Sequence, residues 1–163
     1  MKNNIFILNK VNERIISQLV NIHFSALNEF NFRNWSFQDF VDLINNGSSI
    51  FYYVLNNRIV GFSVVRFNED FTEIIIIAVD SNYQKKKIGQ NILNYIIDCP
   101  YFKGCMILDV AITNTNAINF YKKFGFKKIG QRKNYYLILE GDKVGKKIDA
   151  IVMQLQIHST TSQ

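Results

Sequence analysis

The sequence is poor in the residues that build linkers. It has one proline in 163 residues, and its eight glycines are spread along the chain rather than gathered in one segment. This excludes a flexible linker between domains, and the length suits one globular domain, which we expect to span residues 1–157. The polar stretch 158–163 has no apolar face, so disorder is the expectation for it.

Cysteine is also scarce. Cys99 and Cys105 are the two cysteines of the chain, they flank the single proline and a glycine, and no histidine lies near them. This spacing matches neither a disulfide framework nor a metal site. We therefore expect two reduced, structural cysteines and no bound metal.

Long apolar runs are missing as well. The apolar run at 5–8 is too short for the core of a signal peptide, and no run approaches the ~20 residues of a membrane-spanning helix. These features predict a soluble, cytoplasmic protein that has no membrane partner.

Basic residues outnumber acidic ones. The chain has 19 lysines and arginines against 13 aspartates and glutamates, a formal net charge of +6 and an isoelectric point near 9.3. Such a balance favours a polyanionic partner, whether a phosphorylated cofactor, RNA, or a protein that itself lies among RNA. The charge alone does not choose among these three.

The most apolar stretch of the chain runs directly into a basic turn. Residues 74–79 are apolar and mostly β-branched, which indicates a buried strand, and three lysines follow at 85–87, just before Gly89. A helix is predicted to start there. Its free backbone N–H groups, its dipole and the lysines together predict a binding site for an anion such as phosphate.

Apolar spacing and turn residues predict the other elements. Strands are predicted at 4–8, 50–55, 58–67, 74–79, 104–112, 126–137 and 148–157, and helices at 12–27, 36–46, 89–98 and 114–124. The result is an α/β fold of the α+β type, a mixed sheet of about seven strands flanked by about four helices. A strand, a helix and a strand with short loops form a right-handed parallel crossover. The phosphate turn and the end of strand 104–112 therefore open on one sheet edge, the expected ligand site.

His23 lies in the first predicted helix with no visible partner. A satisfied or half-exposed structural histidine is favoured there over a catalytic one.

Several segments resemble a known family. The turn QKKKIG at 84–89, the segment NTNAINFYKKFGF at 114–126 and the order of elements resemble the GNAT superfamily of acetyl-CoA-dependent N-acetyltransferases, over nearly the whole chain. The segments at 35–36, 132–136 and 149–153 resemble its RimI-type branch, which acetylates the N-terminal α-amine of a small-subunit ribosomal protein. The resemblance implies the GNAT fold, with the parallel β-α-β crossover at the cofactor site.

The resemblance also implies an acetyl-CoA site, which contains no metal. Backbone N–H groups of the turn would hold the pyrophosphate, and the edge of strand 74–79 would pair with the pantetheine arm and supply an N–H to the thioester oxygen. The implied residues are Ile77, Ala78, Val79, Lys85, Lys86, Lys87, Ile88, Gly89, Gln90 and Asn114. Lys87 departs from the family pattern, which has glycine there. Asn114 has a second physical explanation, capping of the helix that follows it.

Two catalytic residues follow from the same resemblance. Asp109 stands where the family has a glutamate base, and an α-amine, with a pKa of about 8 against roughly 10.4 for lysine, is the easier group for it to deprotonate. The side chain of Asp109 is one methylene shorter than that of glutamate, so a water is expected to bridge it to the amine. A purely structural aspartate is the alternative. Tyr121 would donate a proton to the thiolate leaving group, and a packed helix aromatic is its alternative.

The acceptor is expected to be a protein N-terminus, that of a ribosomal protein, without direct nucleic-acid binding and with the enzyme a monomer or weak dimer. The aromatic loop from Phe30 to Trp35 and the pair Tyr135 and Tyr136 would form two walls around the acceptor peptide. Two alternatives stay open at this point. One is an enzyme of the same family acting on a lysine side chain or a small amine, and the other is a noncatalytic basic module that binds RNA.

Overall fold

The computed structural model describes residues 4–30 and 32–157, and the tail 158–163, for which we expect disorder, lies outside them. The described chain forms seven strands and four helices, as predicted. The strands are β1 Ile5–Leu8, β2 Ser49–Leu55, β3 Arg58–Phe67, β4 Thr72–Val79, β5 Cys105–Ala111, β6 Lys127–Leu137 and β7 Lys147–Gln156. The helices are α1 Glu13–Leu27, α2 Phe37–Asn45, α3 Ile88–Ile97 and α4 Thr115–Phe124.

Side chains close the N-termini of three helices. The side chains of Asn12 and Asn114 accept backbone N–H groups in the first turns of α1 and α4. Ser36 and Asp39 form the expected capping box on α2. Since these groups satisfy donors that the helix itself leaves free, they fix where each helix begins. Helix α4 ends at Gly125, which has a φ of 115° that other residues rarely adopt.

The seven strands form one sheet in the order β1-β2-β3-β4-β5-β7-β6. Strands β4 and β5 are parallel, and every other neighbouring pair is antiparallel. The β2–β3 hairpin turns at Asn56 and Asn57, whose φ angles of 49° and 61° match the left-handed turn expected from two asparagines. The parallel pair, connected through α3, confirms the predicted crossover.

Apolar side chains pack on both faces of the sheet. One buried cluster joins the sheet to α3 and α4 and includes Ile92, Leu93 and Ile118. The other lies under α1 and α2 and includes Leu19 and Phe40. Within residues 4–30 and 32–157, no helix has the length and apolarity needed to cross a membrane.

A bulge in β4 opens the sheet. Opposite β3, Val65 pairs with Ile74 and Val64 with Ile76, so Ile75 is an extra residue in β4. The parallel pairing with β5 ends at the same point, at Ile74. Because a bulge bends its strand and adds twist, β4 separates from β5 beyond this residue. The apolar run that the sequence marks as a strand therefore leaves one backbone edge without a partner strand among the described residues.

Candidate active site

A cavity of about 470 Å³ fills the gap between the separated strands. If the parallel pairing continued in register, Ile75 would lie opposite Asp109 and Ile77 opposite Ala111, and all four residues line the cavity instead. Both predicted catalytic residues and all three predicted acceptor-binding residues are gathered here. The predicted residues that line the cavity are Trp35, Ile77, Asp109, Asn114, Tyr121, Tyr135 and Tyr136.

The predicted phosphate turn lies outside this lining, as do Ala78 and Val79. It connects the end of β4 to α3, and its three lysines are exposed. Lys85 and Lys87 have φ angles of 60° and 63°, in the left-handed region. Backbone N–H groups in such turns form concave sites for anions, and they adjoin the positive end of a helix dipole. This geometry fits the pyrophosphate of a coenzyme.

Helix α3 differs from the other helices in its cap. Lys87 occupies the N-cap position and makes no side-chain capping hydrogen bond, whereas side chains cap α1, α2 and α4. A lysine in the left-handed conformation costs about 1–2 kcal/mol that glycine would not. The backbone thus keeps the shape that a glycine at position 87 would give, and the lysine adds an exposed charge to it.

Gly61 places the start of α3 against the sheet. A Cβ on Gly61 would lie 3.0 Å from Cγ2 of Ile88 and 3.2 Å from the backbone oxygen of Ala78. Gly61 pairs with Val79 at the end of β4, next to the turn. The absence of a side chain there lets the first residue of the helix pack directly on the strand.

Asp109 has a partner that the sequence did not reveal. Both of its carboxylate oxygens lie 3.1 Å from Nε of Arg132, on β6. The aspartate side chain is 20% exposed and the arginine side chain 53%. The arginine also lies over the ring of Tyr135, 5.7 Å from its centroid. Asp109 therefore faces the cavity as one half of an ion pair.

Tyr121 is buried in the wall formed by α4. Its ring packs against Phe120 at 5.3 Å and Phe126 at 5.4 Å between centroids, and the residue also lines the cavity. Burial raises the pKa of the Tyr121 phenol, and the neighbouring Tyr136 adds to the effect. The hydroxyl therefore keeps its proton at neutral pH and can donate a hydrogen bond.

Aromatic rings close the far side of the cavity. Phe32, from the loop before α2, stacks on Tyr136, with the centroids 4.8 Å apart and the planes 19° apart. Tyr135 meets Tyr136 edge-on at 5.0 Å. The two segments that the sequence predicted as separate walls thus touch each other across the opening.

Asp149 shapes the strand that carries these tyrosines. Its carboxylate accepts the backbone N–H of Asn134 at 2.9 Å and the side-chain amide of Gln131 at 2.6 Å. The hydrogen bond from the backbone of Asn134 has the largest effect in lowering the pKa of Asp149, and the one from Gln131 adds to it. Asn134 has a φ of 52° and lies in an irregular part of β6. The resulting bend in β6 lies directly before Tyr135 and Tyr136.

His23 corrects an expectation from the sequence. It is neither satisfied nor half-exposed, since it is 3% exposed and its Nδ1 has no hydrogen-bond partner among the described residues. The ring stacks on Trp35 at 5.1 Å and lines the cavity. Burial, assisted by the charge of Arg33 and opposed by that of Asp39, lowers the pKa of His23 to about 4. The imidazole is therefore neutral at physiological pH.

Sequence reasoning missed the roles of Arg132, Asp149 and His23. The first two lie in segments whose resemblance to the RimI-type branch was noted, without a role for either residue. An aspartate in an otherwise apolar strand was the available signal for Arg132, because such a carboxylate requires a cation or donor nearby. For His23, local spacing carried no signal. Phe32 lies in the aromatic loop that the sequence predicts as one wall of the acceptor site.

Known proteins match this chain in sequence and in fold. The family model described as "Acetyltransferase (GNAT) family" matches residues 15–126. A [ribosomal protein bS18]-alanine N-acetyltransferase from Escherichia coli strain K12 is 31% identical over 127 residues, which are 76% of this chain and 81% of that protein.

Solved structures of two acetyltransferases share the fold of this chain. The ribosomal-protein-S18-alanine N-acetyltransferase from Escherichia coli aligns with a TM-score of 0.77 at 24% identity, over 98% of this chain and 99% of that one. A GNAT family acetyltransferase from Elizabethkingia anophelis, solved with acetyl-CoA bound, aligns with a TM-score of 0.67 at 20% identity, over 96% of this chain and 100% of that one. The expected GNAT fold is thereby confirmed.

Proposed function

Because the chain belongs to the GNAT acetyltransferase family, we propose that it transfers an acetyl group from acetyl-CoA to the N-terminal α-amine of a protein. The acceptor we propose is a ribosomal protein, as the name of the Escherichia coli relative suggests. The observation that carries the proposal is the cavity at the β4–β5 gap, where a backbone edge, a carboxylate and a phenol converge under aromatic walls.

Acetyl-CoA would supply the activated acetyl group as a thioester. Lys85, Lys86, Lys87, Ile88, Gly89 and Gln90 would hold its pyrophosphate, chiefly through backbone N–H groups, while the lysine side chains add positive charge. Ile77, Ala78 and Val79 lie beyond the end of the β4–β5 pairing, so among the described residues no strand covers this edge and it would pair with the pantetheine arm. The carbonyl of Val79 accepts the side-chain amide of Gln84 at 3.2 Å, so that contact would have to yield to the arm. Asn114 lies at the cavity wall and caps α4 through the same side chain.

The lining of the cavity favours an α-amine over a polyamine or a lysine side chain. Among the described lining residues Asp109 is the one carboxylate, and Arg132 already pairs with it. The second cationic group of a polyamine would lose its hydration in the cavity and find no unpaired carboxylate there. Such an unpaired buried charge costs free energy. A peptide amine, with its lower pKa, needs less help to lose its proton. Trp35, Tyr135 and Tyr136 offer ring surfaces for the peptide behind that amine.

The residues of the cavity would divide the chemistry. Asp109, through a water, accepts the proton of the attacking amine, and Arg132 fixes the direction of its carboxylate. A backbone N–H of the free β4 edge stabilises the negative charge that develops on the carbonyl oxygen. Tyr121 donates a hydrogen bond to the departing sulfur. Since its pKa is raised, donation without complete proton transfer is the favoured mode.

The acceptor class can be tested by mass spectrometry. The protein is incubated with acetyl-CoA and a peptide that begins with alanine, with the same peptide blocked at its N-terminus but containing lysine, or with spermidine. We expect acetylation of the free N-terminus alone. Preferential acetylation of lysine or spermidine would overturn the proposal.

The same peptide assay tests the role of Tyr121. Tyr121→Phe keeps the packed ring and removes the hydroxyl, so kcat should fall by about 100-fold or more. The affinity for acetyl-CoA, measured by calorimetry, should not change. Full turnover by this variant would show that Tyr121 is only a packed aromatic.

A further inference from the structure

His23 is a polar group of the cavity that the proposed chemistry leaves unused. It projects from α1, is almost completely buried, and leaves Nδ1 without a hydrogen-bond partner among the described residues. An unsatisfied buried donor or acceptor costs free energy, so such a group calls for an explanation. The position of the ring in the cavity wall suggests one.

The ring cannot easily turn to find a partner elsewhere. It stacks on Trp35 with the planes 22° apart, Trp35 meets Phe40 edge-on, and Phe40 meets Phe62 in the same way. This row of aromatic rings runs from the cavity wall into the buried core under α1 and α2. The imidazole is therefore held in one orientation, as a binding group should be.

Two other buried polar groups also lack a hydrogen-bond partner among the described residues, and they can be compared with His23. The hydroxyls of Ser48 and Thr72 are also unpaired among the described residues, but neither residue lines the cavity. Among these three residues, His23 is the one that lines the cavity, so its ring is the one beside which a bound molecule would lie.

We propose that His23 is an acceptor-binding residue, whose neutral imidazole forms a hydrogen bond with the first residues of the incoming peptide. A neutral imidazole carries one donor and one acceptor nitrogen, so it can pair with a backbone C=O or N–H group. The depressed pKa of His23 keeps the ring in this form at neutral pH. The inference rests on the proposed function, because it assumes a peptide in the cavity.

Two substitutions at this position distinguish binding from structure. His23→Phe retains the stacked ring and removes both nitrogens, while His23→Asn restores a polar group near the position of Nδ1. With the alanine-initiated peptide, His23→Phe should raise KM about tenfold, the effect of one lost hydrogen bond. His23→Asn should stay within about threefold of the wild type, and the acetyl-CoA affinity should be unchanged in both variants.

The stability of the same proteins gives a readout that needs no acceptor. If the unpaired nitrogen is retained for binding, His23→Phe should raise the Tm, by about 2–4 °C. Thr72→Val is the matched control, since it removes an unpaired buried group outside the cavity. Thr72→Val should also raise the Tm, and it should leave the KM for the peptide unchanged.

The outcomes separate the two proposals. A wild-type protein that acetylates no N-terminal peptide refutes the proposed function, and the role of His23 falls with it. A wild-type protein that acetylates the peptide, with His23→Phe showing the same KM, refutes the role of His23 alone. A lower Tm for His23→Phe also refutes it, because the histidine would then be a structural residue.

Discussion

The buried imidazole of His23 should make the folded protein sensitive to mild acid. Its pKa is about 4 in the folded state, against 6.5 for an unperturbed histidine. Between these values the unfolded chain binds a proton that the folded chain does not, and stability falls as the pH falls. Above about pH 7 both states are neutral at this position, so the effect vanishes there.

The magnitude follows from the two pKa values. At pH 4.5 the unfolded imidazole is almost fully protonated and the folded one only in part, which corresponds to a loss of about 2.5 kcal/mol relative to neutral pH. Asp39 and Asp149, whose pKa values are lowered by their partners, lose their contributions at still lower pH. The window from pH 6.5 to 4.5 therefore reports chiefly on His23.

Urea unfolding at a series of pH values between 7.5 and 4.5 measures this effect. The wild-type free energy of unfolding should decline across the window, and His23→Phe should lack about 2.5 kcal/mol of that decline. The difference between the two proteins cancels the titration of carboxylates that both share. Identical pH profiles would show that the folded protein protonates His23 as readily as the unfolded chain does.

Two further predictions concern the carboxylate and the phosphate turn. Asp109→Asn should lower kcat by about 100-fold with little loss of stability, since a partly exposed ion pair contributes roughly 0–1 kcal/mol. A kcat for this variant within about threefold of wild type would make Asp109 a structural residue. Arg132→Gln should also lower kcat, by less than Asp109→Asn, and change KM little, because Arg132 only orients the carboxylate. Gly61→Ala should reduce the free energy of unfolding by about 1–3 kcal/mol and weaken acetyl-CoA binding in calorimetry, because its Cβ would crowd Ile88. Gly130→Ala is the control, since its Cβ would approach no atom of the described residues closer than 3.8 Å. Equal behaviour of the two glycine variants would contradict the packing argument.

Local patterns predicted the elements of the fold closely because the signals are themselves local. The caps at Asn12, Ser36 and Asn114 act within three residues of their own position. The hairpin at Asn56–Asn57 likewise depends on two backbone angles. The parallel crossover followed from connection length and handedness, which are general rules of strand and helix packing.

The candidate site was predicted less completely. The resemblance supplied Asp109, Tyr121 and the tyrosine pair, and the structure collects them around one cavity. Their partners came from distant parts of the chain. Arg132 lies 23 positions from Asp109, and no pattern in β6 connects the two residues.

By itself, the sequence determined which segments become strands and helices, where the parallel crossover lies, and that a basic turn begins α3. Backbone propensity, capping and the period of apolar residues operate over a few neighbouring positions, so they can be read without coordinates. Only the tertiary structure decided that Ile75 forms a bulge, that β4 parts from β5 there, and that His23 reaches the resulting cavity unpaired. These features depend on the register between strands and on contacts between segments far apart in the chain, and local sequence does not encode either one.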